Sequence, residues 1–371
     1  MPRQLDAERL GSALAAARAQ ELPRVREAVR RDRVVGVFGE AEVGKTRVIE
    51  RALARCGMPV LRVDLRFAAG EGHLGFELAR EMARALAPDL ELSRLARGGQ
   101  MTAELHEARL RLMETLGIGL QEAVRRWPSG RYGWGDALAS LDLLAQTQQV
   151  VLWVDHLEAP RLTFRHPLRL EKLMQSLSEA VERTTGLRLL LSGRPAAAEA
   201  REARVAFERH VRWLKLQAPG ARVWRAVAES LDLDGARAEE LAELTCGHPR
   251  TMMLALTSIA DDRAPGDAEE LLRALAARDD GLALRSMEHA RSLHRLGGQV
   301  LTQAALGQRP YAGAQRGTAA SQDLSKALTR LRLAGLIRHE GRWGVVNPLL
   351  AMRLQAASSP DSPTSVRPPW S

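Results

Sequence analysis

The sequence predicts an α/β fold in which helices cover both faces of a parallel sheet. Two observations support this class. Short apolar segments alternate with longer segments whose apolar residues recur at helical spacing. The segments at 33–38, 150–154 and 187–191 are short and mainly apolar, as in strands that are buried on both faces, and a further strand is predicted at 60–67. Such alternation is typical of parallel strands joined by helical crossovers.

The order of these segments divides the chain into four structured regions and a tail. Residues 1–32 are expected to be helical, residues 33–218 to form the α/β core, and residues 219–288 to form a helical domain. Residues 289–356 form a separate unit of helices and a hairpin, and residues 357–371, rich in Ser and Pro, are expected to be disordered. Helices within the core are predicted at 47–56, 73–87, 102–127, 135–146 and 169–184.

Composition excludes several classes of protein. The chain has 371 residues, of which 45% are hydrophobic and 27% charged, so whole-chain disorder is excluded. It has no run of 18 apolar residues and no apolar signal core in residues 1–10, so we expect a cytoplasmic protein that does not enter a membrane. Its two cysteines cannot form a disulfide framework or a cysteine-based zinc site.

The formal charge of +9 comes almost entirely from arginine, since only four of the 54 basic residues are lysines. A GC-rich genome, which favours arginine codons, accounts for this bias without any function. Arginine also suits phosphate contact, because its planar fork pairs two oxygens at once. The charge therefore permits nucleic-acid binding without establishing it.

A phosphate-binding loop is predicted directly after the first strand. The run Gly39-Glu-Ala-Glu-Val-Gly-Lys-Thr46 matches the pattern G-x-x-x-x-G-K-[ST]. The glycines let backbone N–H groups converge on phosphate oxygens, and the helix that follows adds the positive end of its dipole. Lys45 is expected at the β- and γ-phosphates, and the Thr46 hydroxyl at Mg²⁺. The residues expected at the nucleotide are Gly39, Glu40, Ala41, Glu42, Val43, Gly44, Lys45, Thr46 and Arg47.

One position in this loop departs from the usual pattern. Glu42 occupies a site where glycine is frequent, and its carboxylate is expected to lie near the phosphates. It is expected to weaken nucleotide affinity without disrupting the backbone cradle.

An acidic residue at the end of a second strand is predicted to hold the metal. The apolar run Val150–Val154 stops at Asp155, which is expected to bind Mg²⁺. Many ATPases with such a loop place Glu directly after this Asp, but here His156 follows. Glu158 is the nearest carboxylate that could position water for hydrolysis. Two alternatives stay open: Glu158 serves in catalysis, or hydrolysis is slow or absent.

The end of the strand at 187–191 supplies two further candidates. Strand C-termini face the ligand crevice in a doubly wound sheet, so Ser192 or Arg194 is expected to sense the γ-phosphate. A surface position for Arg194 is the alternative. None of the four lysines lies in an N/T-K-x-D guanine-binding motif, which favours ATP as the nucleotide.

The C-terminal unit reads as a winged helix. A helix is predicted at 292–307, a second from an N-cap at Ser321 through Ala334, and a hairpin over 336–346. Its polar and basic residues point to duplex DNA, through contacts with phosphates and the major groove. A competing interpretation is that this unit packs on the core or on a partner protein. The DNA-binding candidates are Gln322, Ser325, Lys326, Thr329, Arg330, Arg332 and Arg342, with Arg338 as a further phosphate contact.

Taken together, these motifs resemble AAA+-related ATPases of the STAND type that carry a C-terminal winged helix. The loop 39–46 is similar to their G-E-x-G-x-G-K-T, Val154–Glu158 resembles their Walker B segment, and Ser192-Gly193-Arg194 stands where sensor 1 would be. Gly247-His-Pro-Arg250 looks like the G-x-P motif of their helical lid. The resemblance covers residues 20–355. It implies that residues 219–288 close over the nucleotide, that Pro249 or Arg250 contacts it, and that the nucleotide couples two domain arrangements.

Three functional hypotheses follow. The first is an ATP-driven switch that acts with duplex DNA, as a loader, a transposition or recombination helper, or a regulator. The second is a STAND-type signalling scaffold that self-assembles with ATP into a homo-oligomer and binds a protein partner. The third is a hydrolysis-deficient ATP-binding module.

Overall fold

The structure is a computed structural model in which two compact units can be described. We call them the sheet unit, Pro23–Phe38 with Ile49–Lys215, and the helical unit, Met1–Leu22 with Gly39–Val48 and Leu216–Ser371. The helix predicted at 102–127 lies outside the described residues, as does nearly all of the predicted tail. The residues described are 7–18, 20–41, 43–67, 70–86, 133–162, 170–198, 211–261, 266–278, 280–310 and 318–358.

A five-stranded parallel sheet forms the centre of the sheet unit. Its strand order is β2-β3-β4-β1-β5, and every neighbouring pair is parallel. This confirms the predicted α/β class with a parallel sheet. The strands are β1 (Val34–Phe38), β2 (Val60–Asp64), β3 (Val150–Asp155), β4 (Leu187–Gly193) and β5 (Val211–Lys215).

The strands differ from the predictions in three respects. Strand β2 ends at Asp64 rather than at residue 67, because residues 65–67 form a turn, in which the Leu65 N–H still donates to the Asp155 carbonyl oxygen at 3.1 Å. Strand β4 continues through Ser192 to Gly193, both paired with β1. Strand β5 was not predicted, because it is an edge strand whose residues Val-Arg-Trp-Leu-Lys are half-buried or exposed and do not form an apolar run.

Helices surround this sheet and bury their apolar stripes. The central strands β1 and β3 are buried along their whole length. Leu74 and Leu78 on one helix and Met174 and Leu177 on another belong to the same core as the strands. The helices are α2 (Glu21–Arg31), α3 (Lys45–Leu53), α4 (Glu71–Leu86), α5 (Trp134–Thr147), α6 (Ala159–Leu162), α7 (Leu170–Arg183) and α8 (Pro195–Ala198), of which α3 begins in the helical unit.

The predicted N-terminal helical segment consists of two helices that belong to different units. Helix α1 (Ala7–Ala17) ends before a break, and α2 begins at Glu21. Leu10 and Leu14 of α1 pack in one core with the fully buried Trp224 of the helical unit. The same core includes α9 (Ala221–Glu229), α10 (Gly235–Leu244), α11 (Pro249–Ala260) and α12 (Ala268–Arg278), together with Leu349 near the C-terminus.

A second core of the helical unit lies in its C-terminal part. Leu301, Leu328, Leu331 and Ile337 are buried together there. The predicted order of helix, helix and hairpin is present, and α16 follows it. The elements are α13 (Asp280–Leu293), α14 (Gly297–Ala305), α15 (Ala319–Leu333), β6 (Ile337–Glu340), β7 (Arg342–Val345) and α16 (Pro348–Ser358).

Local boundaries in this part differ from the predictions. Helix α13 runs through the predicted domain boundary at 288, and α16 occupies the end of the predicted unit. Thr318, not Ser321, caps α15, because its Oγ1 accepts a hydrogen bond from the Ser321 N–H at 3.2 Å. The winged-helix assignment stays a prediction. Among the described residues, no helix is both long and apolar enough to cross a membrane.

Candidate nucleotide site

The predicted phosphate-binding loop connects β1 to α3, as the sequence motif requires. Gly39 follows the last residue of β1, and α3 begins at Lys45. A Cβ atom on Gly39 would lie 2.5 Å from the Leu216 carbonyl oxygen, so only glycine fits there. Gly44 has a φ of 83°, in the left-handed region that favours glycine. Glu42 lies outside the described residues.

Lys45 folds its side chain back onto the loop that carries it. Its Nζ donates hydrogen bonds of 2.8 Å to the carbonyl oxygens of Gly39 and Glu40. Thr46 is half-buried in the first turn of α3, and Arg47 is exposed. An ammonium group and a helix N-terminus thus converge on one short loop, which is the arrangement that binds phosphate.

A buried arginine that the sequence analysis missed supports this loop, and both belong to the helical unit. Arg18, which follows α1, donates hydrogen bonds to the carbonyl oxygens of Val43 and, at 2.7 Å, of Gln217. Its Nε also lies 2.8 Å from Glu21 Oε2 in an ion pair. No sequence signal marks Arg18, because two of its partners lie 25 and 199 residues away.

Asp155 ends β3 as predicted, and its buried carboxylate accepts hydrogen bonds at both oxygens. Its Oδ1 accepts hydrogen bonds from Ser192 Oγ at 2.6 Å and from the His156 N–H at 2.9 Å. Its Oδ2 accepts one from Arg62 Nη2 at 2.7 Å. Ser192 Oγ in turn accepts from Trp153 Nε1 at 2.7 Å. Ser192 therefore fixes the orientation of Asp155.

Glu158 and Arg194 join the ends of β3 and β4. Glu158 Oε2 accepts the Arg194 backbone N–H at 3.1 Å, and Oε1 lies 3.4 Å from Arg194 Nε and 3.5 Å from His156 Nδ1. Burial alone would raise the pKa of Glu158, but the hydrogen bond to His156 and the charge of Arg194 outweigh it and leave that pKa below its ordinary value. A carboxylate so stabilised is a weak base.

We expect this network to make the stability of the sheet unit depend on pH. Because the folded-state pKa of Glu158 is depressed, its charge stabilises the fold at neutral pH, and the contribution is lost as the pH falls through that value. Glu158→Gln should lower the thermal unfolding midpoint at about pH 7. It should also reduce the drop in that midpoint between about pH 7 and about pH 4. Thermal unfolding at both pH values checks this, with Glu182→Gln on the exposed face of α7 as the control. Parallel declines in wild type and Glu158→Gln would contradict it.

A second strand-ending aspartate lies beside Asp155. Asp64 is the last residue of β2 and the register partner of Asp155. Burial would raise the pKa of Asp64, but hydrogen bonds from Arg66 and the nearby His156 hold that pKa below its ordinary value. The sequence did contain a signal for Asp64. Residues 60–63 are apolar except at Arg62 and are followed by Asp, just as the apolar run 150–154 is followed by Asp155.

The G-x-P segment forms the start of α11 in the helical unit. A Cβ on Gly247 would lie 1.9 Å from the Pro219 carbonyl oxygen, and its φ is 66°, so glycine is required. The His248 side chain caps α11 by accepting from the Thr251 N–H. Pro249 is buried and Arg250 is exposed. Their contact with a nucleotide stays a prediction.

The predicted DNA-binding residues occupy different positions on the C-terminal unit. Arg332 is half-buried, and Arg330 donates a 2.7 Å hydrogen bond to the Leu293 carbonyl oxygen, with burial lowering the pKa of its guanidinium. Arg330 therefore also ties α15 to the end of α13. The exposed members of the set are Gln322, Ser325, Lys326, Thr329 and Arg342.

Comparison with known proteins gives structural matches only. No protein-family model and no curated protein matches the chain. The Walker-type ATPase PABY2304 of Pyrococcus abyssi superimposes with a TM-score of 0.61 and 16% identity, over 91% of this chain and 95% of that one. The RuvB Holliday junction branch migration motor of Thermotoga maritima gives a TM-score of 0.39 and 16% identity, over 92% of each chain.

The likeness to the Pyrococcus ATPase extends over nearly the whole of both chains, and it agrees with the five-stranded parallel sheet and the loop after β1. At this level of identity it establishes the fold. The chain therefore has the α/β fold of this Walker-type ATPase, which is that of a P-loop NTPase.

Proposed function

We propose that this protein binds ATP through the loop Gly39–Thr46 and uses the bound nucleotide to switch its interaction with duplex DNA. The observation that carries the proposal is the loop itself. A glycine turn with a left-handed Gly44 leads into a helix that begins at Lys45, and the Lys45 ammonium lies against the loop. The absence of a guanine-binding lysine motif supports adenine as the base. Calorimetric titration with ATP and GTP tests this, with tighter binding of ATP expected.

The residues present fit Mg²⁺ as the partner of the nucleotide. The Thr46 hydroxyl and the Asp155 carboxylate are the hard oxygen donors that this ion prefers. Asp155 is held in one orientation by Ser192 and Arg62, which suits a ligand with fixed geometry. The ion would neutralise phosphate charge when it is bound.

We propose that any hydrolysis is slow. His156 takes the position after Asp155, and Glu158 is 3% exposed and engaged with Arg194 and His156. A general base needs access to water and an affinity for its proton. Glu158 has neither in this arrangement. A slow ATPase suits a switch, in which the bound state must persist long enough to act.

The C-terminal unit is proposed to contact DNA through the exposed face of α15. Lys326 is exposed there among Gln322, Ser325 and Thr329, which are side chains of the kind that contact phosphates and base edges. The net charge of +9 favours association with a polyanion. We further propose that ATP changes the assembly state, with formation of a homo-oligomer in the cytoplasm.

A mobility-shift assay with duplex DNA, with and without ATP, tests the DNA proposal. We expect DNA binding to weaken steeply between about 50 and 200 mM salt. In Lys326→Ala the slope of the logarithm of the binding constant against the logarithm of the salt concentration should fall in magnitude by roughly one unit. Lys172→Ala on α7, also an exposed lysine, is the matched control. Absence of a shift at low salt in both nucleotide states would contradict DNA binding. If ATP nevertheless changed the molecular mass of the protein measured by light scattering, the hypothesis of a STAND-type scaffold that binds protein partners would replace the DNA proposal.

A further inference from the structure

We propose that Asp64, Asp155 and His156 bind a divalent transition-metal ion, of the class of Zn²⁺, at the carboxyl ends of β2 and β3. All three residues belong to the sheet unit. One ligand atom from each side chain lies within 4.8 Å of the others. The site needs neither the phosphate-binding loop nor a nucleotide, although it shares Asp155 with the Mg²⁺ site of the proposed function.

The parallel register places the two carboxylates side by side. Asp64 and Asp155 are Cα partners and are the last residues of β2 and β3. Partnered residues of adjacent strands project from the same face of a sheet, so their side chains are neighbours. Both carboxylates lie mostly out of contact with solvent, at 17% and 4% exposure, which strengthens their attraction for a cation.

His156 turns its ring towards this pair of carboxylates. Its φ of 61° lies in the left-handed region, which is unusual for a residue with a side chain and directs the chain back after β3. The imidazole Nε2 lies 3.6 Å from Asp155 Oδ2 and 3.9 Å from Asp64 Oδ2. Bonds of 2.0–2.2 Å from one ion to these three atoms require only small side-chain movements.

A buried carboxylate faces the other nitrogen of the ring. His156 Nδ1 lies 3.5 Å from Glu158 Oε1, and Glu158 is fixed by the Arg194 backbone N–H. Metal-binding histidines commonly donate the second ring N–H to a carboxylate, which leaves the first nitrogen as the ligand. In this tautomer the Nε2 lone pair faces two carboxylates, and a metal ion placed between them would be coordinated by all three side chains.

Two arginines orient the carboxylates from outside the cluster. Arg62 Nη2 donates to Asp155 Oδ2 and Arg66 Nη2 donates to Asp64 Oδ2, each at 2.7 Å. An ionised carboxylate has about four acceptor positions, so these bonds leave capacity for a metal ion. The arginines also offset the negative charge of the cluster. Ions that are bound mainly by charge, such as Ca²⁺ and Mg²⁺, are therefore disfavoured. One imidazole and two carboxylates favour Zn²⁺, Co²⁺ or Mn²⁺ over Mg²⁺ and Ca²⁺, which prefer all-oxygen ligand sets.

Titration of the full-length, tag-free protein with Zn²⁺ and Co²⁺ in the absence of nucleotide tests the proposal. We expect one tight site by calorimetry and a Co²⁺ absorption band that Zn²⁺ removes and excess Mg²⁺ does not. His156→Gly should weaken binding at least 30-fold, and glycine keeps the left-handed backbone without strain. Asp64→Asn is the second variant, in case His156→Gly fails to fold. His73→Ala is the matched control, because His73 lies on α4 and its Nε2 is 3.8 Å from Glu77 Oε1, which is not part of the cluster.

Equal Zn²⁺ affinity in wild type, His156→Gly and Asp64→Asn would overturn the proposal, as would the absence of a tight site in the wild type. An ion that binds only with ATP, and that Lys45→Ala abolishes, would also overturn it, since that ion would belong to the nucleotide. Failure of the wild type to bind ATP would contradict the proposed function and leave the metal-site proposal standing. Zn²⁺ binding that is retained in Lys45→Ala and lost in His156→Gly would support the metal-site proposal.

Discussion

Replacement of Lys45 by alanine is expected to weaken ATP binding by roughly 10- to 100-fold, because the ammonium contributes about 1.5–3 kcal/mol through charge-assisted hydrogen bonds. In the structure the ammonium lies within the loop, 2.8 Å from the carbonyl oxygens of Gly39 and Glu40. The side chain thus lies against the loop that is proposed to bind the phosphates. Its removal should leave the backbone cradle in place, so that weak binding persists.

Isothermal titration of ATP into wild type and Lys45→Ala measures this effect directly. Lys172→Ala serves as the control, since Lys172 is exposed on α7 and another of the four lysines. We expect the control to bind as the wild type does. Affinities for ATP that agree within about threefold between wild type and Lys45→Ala would show that the loop does not hold the phosphates.

Replacement of Arg18 by methionine is expected to loosen the phosphate-binding loop. The guanidinium donates to the carbonyl oxygens of Val43 and Gln217 and pairs with Glu21, and the side chain is 5% exposed. Methionine fills a similar length but leaves both carbonyls without this donor. We expect the free energy of local opening to fall by about 3 kcal/mol, so that amide exchange over 39–48 accelerates by roughly 100-fold.

Hydrogen exchange followed by mass spectrometry measures the opening of the loop. Arg24→Met is the matched control, because Arg24 is exposed on α2. Peptides from β3 should exchange as in the wild type in both variants, which separates a local effect from global unfolding. Unchanged exchange over 39–48 in Arg18→Met would contradict a supporting role for Arg18.

Features with a strong local signal were predictable from the sequence. Strands β1 and β3 are continuous apolar runs, and the helices that follow them have clear periodicity, so the α/β class followed from short segments. The loop 39–46 and Asp155 were found because their chemistry depends on residues adjacent in the chain. Strand β5 lacked such a signal, since its side chains are partly exposed at the edge of the sheet. The break between α1 and α2 was missed because both helices have apolar stripes.

The sequence by itself determined the α/β class, through the alternation of its apolar segments. It also determined the glycine loop 39–46 and the acidic end of β3, because each of these is encoded within about ten consecutive residues. The tertiary structure alone decided which groups surround them. Arg18 reaches a carbonyl 199 residues away, Arg62 reaches Asp155, and the register of β2 on β3 brings Asp64 beside His156. Such contacts depend on strand order and helix packing, and no local pattern of residues specifies which distant partners will meet.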